Sequence, residues 1–181
     1  MKGAKLRVVI AGAGGKMGRT LIEGVLADKS LALAAALDAR GSPVVGTSIG
    51  GIKVGSDVAK AVASGDVMID FTRPEGTIEH LEACARLGKP IVIGTTGFPE
   101  PLKKAILKAG RMIPIAMSPN FAVGVNVVFK LAEVAAGILG DDYDVEIIEA
   151  HHRHKVDAPS GTALKLGEII ASSLKRDLKK E

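Results

Sequence analysis

The sequence predicts an α/β protein: a doubly wound parallel sheet, followed by a smaller and partial α+β region. Three observations predict it. Short, β-branched apolar runs alternate with helical periodicity through most of the chain. The first of those runs passes directly into a glycine-rich turn, Gly12-Ala-Gly-Gly-Lys-Met-Gly18. Beyond Phe121 the alternation stops and one long apolar helix begins, so a domain boundary is expected between residues 122 and 123.

Lys5 to Ala11 reads as a central parallel strand, buried on both faces. Gly12, Gly14 and Gly15 suit the tight turn that follows it. The spacing G-x-G-x-x-G fails by one residue, because Met17 stands where the third glycine would fall and Gly18 comes next. The physics of the turn is unchanged. Glycines let the backbone approach a pyrophosphate, and the amides opening the helix meet its charge. Residues Gly12, Ala13, Gly14, Gly15, Lys16 and Met17 are therefore cofactor candidates. A helix over Met17–Asp28 presents Leu21, Ile22, Val25 and Leu26 on one face.

Leu31 to Leu37 suits helix or strand by propensity; its length and its place after a helix favour a second parallel strand. Asp38 ends it. A carboxylate there accepts hydrogen bonds from the adenine-ribose hydroxyls, which favours NAD. Arg40 could reach a 2′-phosphate, so NADP stays open. Strand, glycine turn, helix, strand and terminal acid together predict a Rossmann-type dinucleotide-binding domain, with NADH or NADPH as cofactor.

Residues 41–56 read as loop with a short strand near Ile52-Lys-Val54, and Asp57 as the N-cap of a helix over Val58–Ser64. Asp66 to Phe71 is the next strand. Thr72 is placed to cap the helix that follows, with Pro74 early in it, and Arg73 is balanced between solvent and ligand. Cys84 falls in line with Ile78, Leu81 and Leu87, as a buried structural thiol. Lys89 to Gly94 is a further strand, and Gly94-Thr95-Thr96-Gly97 is a hydroxyl-bearing turn suited to the nicotinamide ribose or a substrate. A helix over Pro99–Ala109 and a strand over Met112–Met117 complete the alternation, and Ser118-Pro119-Asn120-Phe121 ends that strand. The apolar helix then covers Val123–Leu139. A strand over 143–150 follows, then a polar loop, then a helix from Thr162 to about Leu178.

The polar loop, Glu149-Ala-His-His-Arg-His-Lys-Val-Asp-Ala-Pro-Ser-Gly-Thr162, carries the densest chemistry of the chain. Three readings compete for it. Consecutive histidines lack the spacing of a metal site, because neighbours on a strand point to opposite faces. A solvated polar loop is the bland reading. The third is a catalytic and substrate-binding loop. Period-2 geometry sets His151, Arg153 and Lys155 on one side, able to supply charge and a proton. Ser160, Gly161 and Thr162 then offer amides and hydroxyls to a carboxylate at a helix mouth.

Bulk properties narrow the partners. Of 181 residues, 47% are hydrophobic and 24% charged, as expected of a soluble globular protein. Aromatics are only 3%, with no Trp, which disfavours base-stacking surfaces and hence nucleic acid. Net charge is +4. The basic tail at Lys175, Arg176, Lys179 and Lys180 reads as a solvated helix end, and the balance suits an acidic small molecule. One cysteine suggests a reducing compartment. No apolar run is expected to span a membrane, and no signal peptide is expected before the first strand, so a cytoplasmic protein is expected.

With these motifs in hand, the chain resembles the 4-hydroxy-tetrahydrodipicolinate reductases, also called dihydrodipicolinate reductases, of bacterial lysine and diaminopimelate synthesis. The resemblance lies in Gly12–Gly18, Asp70-Phe-Thr-Arg-Pro-Glu-Gly76, Gly94–Gly97, Asn120-Phe-Ala-Val-Gly-Val-Asn126 and above all Glu149–Thr162, in that family's order. It implies that residues 1–122 carry NADH or NADPH and 123–181 hold a linker helix and part of a substrate domain. It implies His151 as proton donor and acceptor and Lys155 as proton donor. His152, Gly161 and Thr162 would be substrate-carboxylate ligands. Gly12 to Met17, Asp38, Gly94 to Thr96 and Ser118 to Phe121 would be cofactor contacts. No metal is implied. The substrate would be a small cyclic dicarboxylate, and the assembly a homo-oligomer, a tetramer in the family. Two departures stand out. Many relatives have Arg directly after the acid at the second strand's end, where this chain has Asp38-Ala39-Arg40. Family members also continue past residue 181 with further strands, so this chain is expected to lack a C-terminal part, and its turnover is open. A dinucleotide-binding module with little turnover is the alternative.

Overall fold

The computed structural model describes residues 4–151, 153, 158–178 and 180. These residues divide into two compact units, 1–117 and 118–181.

The first unit is built on strand β1, Leu6–Ala11. Val8, Val9, Ile10 and Ala11 are at most 1% exposed, so the strand is buried on both faces as its unbroken apolar run implies. Each large side chain so buried contributes about 1.5–3 kcal/mol. Helix α1, Lys16–Ala27, returns the chain to β2, Leu31–Leu37, which pairs parallel to β1. The ambiguous run 31–37 is thus a strand: a row of β1 backbone groups is available to it, and that outweighs the helix propensity of its alanines.

A two-stranded hairpin, β3 (Ser48–Ile49) and β4 (Ile52–Lys53), then leads to α2, Val58–Ser64, and to β5, Val67–Asp70, on the other side of β1. Helix α3, Pro74–Leu87, β6, Ile91–Ile93, α4, Glu100–Ala109, and β7, Ile115–Met117, continue outward. The sheet order is β2-β1-β5-β6-β7, parallel throughout. Alternate residues of β1 feed two cores. Val8 and Ile10 join Ile22 and Val25 of α1, while Val9 and Ala11 join Val62, Leu81, Cys84 and Ile106 of α2, α3 and α4. Helices therefore cover both faces, and the fold is the doubly wound α/β class. The strand order reverses between β1 and β5, and in such sheets the carboxyl ends at that reversal form the ligand crevice.

Thr72 does not cap α3. Arg73 occupies the N-cap position with no side-chain hydrogen bond, and the Thr72 hydroxyl donates instead to Asp70 Oδ1 at 2.7 Å. The helix starts at Pro74, so Thr72 stands one residue before the N-cap position, with its hydroxyl turned to the buried Asp70 carboxylate.

The second unit contains α5, Val123–Leu139, a 3-10 turn over Gly140–Asp142, and α6, Gly161–Ser173, with α5 and α6 in contact. The strand expected over 143–150 does not form. A strand is held by ladder partners, and no described residue supplies one to this run. Helix α6 ends at Ser173, short of the expected Leu178, where Lys175 takes a φ of 58°.

One expectation about length is corrected. Val123–Asp142, 20 residues with mean hydropathy 1.6, is long and apolar enough to cross a membrane. The 3-10 turn extends α5 past Leu139, which brings the segment to that length. Lys130 and Glu133, paired at 2.9 Å in the middle of the helix, are costly in a bilayer core and suit water.

Candidate functional site

The glycine turn stands at the carboxyl end of β1. Gly12 has φ +78°, a conformation that side chains disfavour. A β-carbon on Gly14 would stand 2.9 Å from Val44 and 3.0 Å from the Asp38 carboxylate. Gly18 answers the broken spacing of the motif. A β-carbon there would lie 1.9 Å from the Gly12 carbonyl oxygen, so Gly18 makes the close helix-to-strand packing that the third glycine makes elsewhere. The N-cap of α1, Gly15, has no side-chain partner, and Gly15, Lys16 and Met17 are exposed. An open helix mouth lined by glycine is a cradle for phosphate.

Asp38, just past β2, turns toward this mouth. Its Oδ2 accepts the Gly14 amide at 2.7 Å and its Oδ1 the Ala39 amide at 2.8 Å. The acid at the end of the second strand is thus tied to the turn it serves. Arg40 is exposed.

Between these loops and the next turn lies a buried polar cluster. Asp70, the last residue of β5, is fully buried, as is Thr77, and Thr95 is 4% exposed. Asp70 Oδ1 accepts the Thr72 amide at 2.9 Å and the hydroxyls of Thr72 at 2.7 Å and Thr95 at 3.2 Å. Thr77 donates its hydroxyl to Thr95 Oγ1 at 2.9 Å. His80 of α3 donates from Nδ1 to Asp70 Oδ2 at 2.6 Å. Burial alone would raise the Asp70 pKa, but the hydrogen bond and charge of His80 and the bonds from Thr72 outweigh it, leaving the carboxyl below its ordinary value. In the turn 94–97, Thr95 is therefore spent inward while Thr96 is exposed. Gly94 admits the Phe71 ring, which lies 2.1 Å from where its β-carbon would be. Sequence reasoning missed Asp70, Thr77 and His80. The available signal was a carboxylate closing an otherwise apolar strand run.

In the second unit, Ser118-Pro-Asn-Phe121 is organised by side chains. The Ser118 hydroxyl donates to the Asn120 carbonyl at 2.6 Å, and Asn120 Oδ1 accepts the Ala122 amide at 2.8 Å, closing the start of α5. Asn126 returns its amide to the Asn120 carbonyl at 3.0 Å. At the mouth of α6, Ser160 caps the Ala163 amide at 3.1 Å. Glu149 Oε1 accepts the Ser160 amide at 2.7 Å, and its Oε2 lies 3.3 Å from His151 Nδ1. Glu149, given no role from sequence, thus joins His151 to the mouth where Gly161 and Thr162 sit. His152 and Lys155 lie outside the described residues. Among the described residues no group of three His, Cys, Asp or Glu side chains could hold a metal ion.

The fold and the cradle together define a dinucleotide-binding protein of the Rossmann class. Structures of low identity share that fold, among them a scyllo-inositol dehydrogenase from Lactobacillus casei, at TM-score 0.59 and 14% identity over 78% of this chain. Much closer likenesses narrow the class. Residues 6–121 match the family model for dihydrodipicolinate reductase, N-terminus, and residues 124–181 the one for its C-terminus. The 4-hydroxy-tetrahydrodipicolinate reductase of Cupriavidus necator is 55% identical over 96% of this chain and 68% of its own length. That of Aromatoleum aromaticum is 56% identical over 96% of this chain and 65% of its own. A dipicolinate-bound dihydrodipicolinate reductase from Paenisporosarcina sp. TG-14 superposes with TM-score 0.75 at 32% identity, over 93% of this chain and 66% of that one. The chain belongs to the dihydrodipicolinate reductase family, and spans about two thirds of the length of these relatives. The function of that family is NAD(P)H-dependent reduction of 4-hydroxy-tetrahydrodipicolinate in lysine and diaminopimelate biosynthesis, by a soluble α/β enzyme.

Proposed function

We propose that this chain performs that reduction, to tetrahydrodipicolinate, with the residues singled out above. NADH or NADPH, when bound, supplies the hydride. Gly12 to Met17 receive the pyrophosphate, Asp38 the adenine-ribose hydroxyls, and Gly94 to Thr96 with Ser118 to Phe121 complete the cofactor contacts. His152, Gly161 and Thr162 hold the carboxylates of the cyclic substrate. His151 and Lys155 handle the protons, His151 oriented by Glu149. The observation that carries the reading is the cradle: an α1 mouth without a side-chain cap, with the Asp38 carboxylate 2.7 Å from the Gly14 amide. Residues 1–122 are the cofactor domain in this proposal and 123–181 the substrate part.

Val123, Leu131 and Ile138 of α5 are 63–78% exposed, and Ile148 is 93% exposed. Apolar side chains so displayed favour a homo-oligomer, with a tetramer the form the family suggests. A cytoplasmic setting suits a soluble biosynthetic reductase with one reduced thiol.

The test is a titration with NADH and NADPH, followed by nicotinamide fluorescence, with and without pyridine-2,6-dicarboxylate. Cofactor binding that tightens with this planar dicarboxylate supports the whole assignment. Binding indifferent to it leaves a dinucleotide module and removes the 149–162 substrate site. No cofactor binding overturns the proposal.

A further inference from the structure

We propose that Asp70, Thr77 and His80 act together as a buried positioning unit for the cofactor cleft. This rests on the reading of Gly12–Met17 and Gly94–Thr96 as cofactor contacts. A carboxylate with no solvent exposure is an expensive core residue, and an apolar side chain would fill the end of β5 at less cost. Here every donor around it belongs to a turn of the cleft or to the element behind it. The Thr72 amide and hydroxyl and the Thr95 hydroxyl come from the turns. The His80 ring and the Thr77 hydroxyl, which reaches Asp70 Oδ1 at 3.3 Å as well as Thr95 Oγ1 at 2.9 Å, come from α3.

The protons run in one direction. Thr77 donates to Thr95, Thr95 donates to Asp70, and Asp70 also receives Thr72 and His80, so no hydroxyl is left without an acceptor. The Thr95 oxygen further accepts the Thr72 amide at 3.0 Å, which ties the two turns to each other. Thr72 in turn meets the glycine loop, its methyl 3.1 Å from the β-carbon position of Gly12. Gly94 is held from the same side, its amide donating to the Asp70 carbonyl at 2.8 Å. One buried carboxylate therefore sets the spacing between the turn that receives pyrophosphate and the turn at 94–97. Thr77 is wholly buried and His80 nearly so, so neither touches the cofactor. They act through Thr72 and Thr95.

The experiment compares Thr77→Val, Thr77→Ser and Val62→Ala in the full chain, by NADH dissociation constant and urea midpoint. Val62 is buried in the same core, on α2, and belongs to no turn of the cleft. Thr77→Val keeps the shape and removes the hydroxyl. It is expected to weaken NADH about fivefold, the worth of one hydrogen bond, with Thr77→Ser restoring affinity and Val62→Ala leaving it unchanged at a comparable loss of midpoint. Should Thr77→Val not fold, His80→Asn, which keeps a donor near Nδ1, is compared with His80→Leu, which does not. Affinity retained in the first and lost in the second supports the unit. Thr77→Val, or His80→Leu, binding NADH as tightly as the original chain overturns the positioning role while leaving the cofactor site intact. An original chain that fails to bind NADH overturns the cofactor reading, and the positioning role with it.

Discussion

A β-carbon on Gly18 would meet a backbone carbonyl at 1.9 Å, and no side-chain rotation can relieve that contact. Gly18→Ala is therefore expected to lose about 1–3 kcal/mol, with the glycine turn displaced from β1. A lowered urea midpoint together with weakened NADH binding would show it; an unchanged midpoint would contradict the packing role. Cys84 makes a second residue-scale prediction. It is fully buried beside Met68, and burial followed by the nearby Asp70 charge pushes its thiol up to about 12. A thiol reagent such as iodoacetamide is expected to leave the folded chain unlabelled near neutral pH and to label one site in urea. Labelling without denaturant would mean that this core opens readily.

At the scale of an element, helix starts divide by what their sequence offers. Asp57 caps α2 through Lys60 at 3.0 Å, and Ser160 caps α6, both as a short polar side chain before an apolar run predicts. Asp57→Ala is expected to cost about 1 kcal/mol, read as a urea midpoint shift with the cofactor affinity kept. Thr72 breaks the pattern because it stands one residue before the N-cap of α3, its hydroxyl turned to Asp70. The apolar run 144–150 breaks it differently: strand propensity is of no use without a neighbour to pair with.

For the molecule as a whole, pH acts on stability through the link between strands. Arg7 of β1 binds Asp66, just before β5, through both guanidinium and backbone, at 2.6–3.1 Å. The guanidinium hydrogen bond and then the backbone bond hold the Asp66 carboxyl down at about 2, against an ordinary 3.8. A carboxyl lowered in the folded state stabilises it above its unfolded value, and that contribution is lost as pH falls from 3.8 through about 2. Because the pair is exposed, the effect is small and salt-sensitive. Asp66→Asn is expected to flatten the midpoint-against-pH curve in that window and nowhere above it. An identical curve would show that the pair contributes nothing.

The sequence by itself determined the order of elements in the first unit, the glycine turn with its acid partner, and the long apolar helix. These are written in local patterns: period-2 and continuous apolar runs, turn glycines and short polar caps. The cluster at 149–162, with three histidines, an arginine and a lysine in five positions, stands out in the sequence, and its chemical role belongs to the proposal. Only the tertiary structure decided that Gly18 serves as the third glycine, and that Asp70, Thr77, His80 and Thr95 form one cluster. Asp70 and Thr95 are 25 residues apart and meet because β5 and β6 are neighbours in the sheet. A hydrogen bond across that distance is set by which strands pair, and strand pairing is a property of the whole core rather than of either segment.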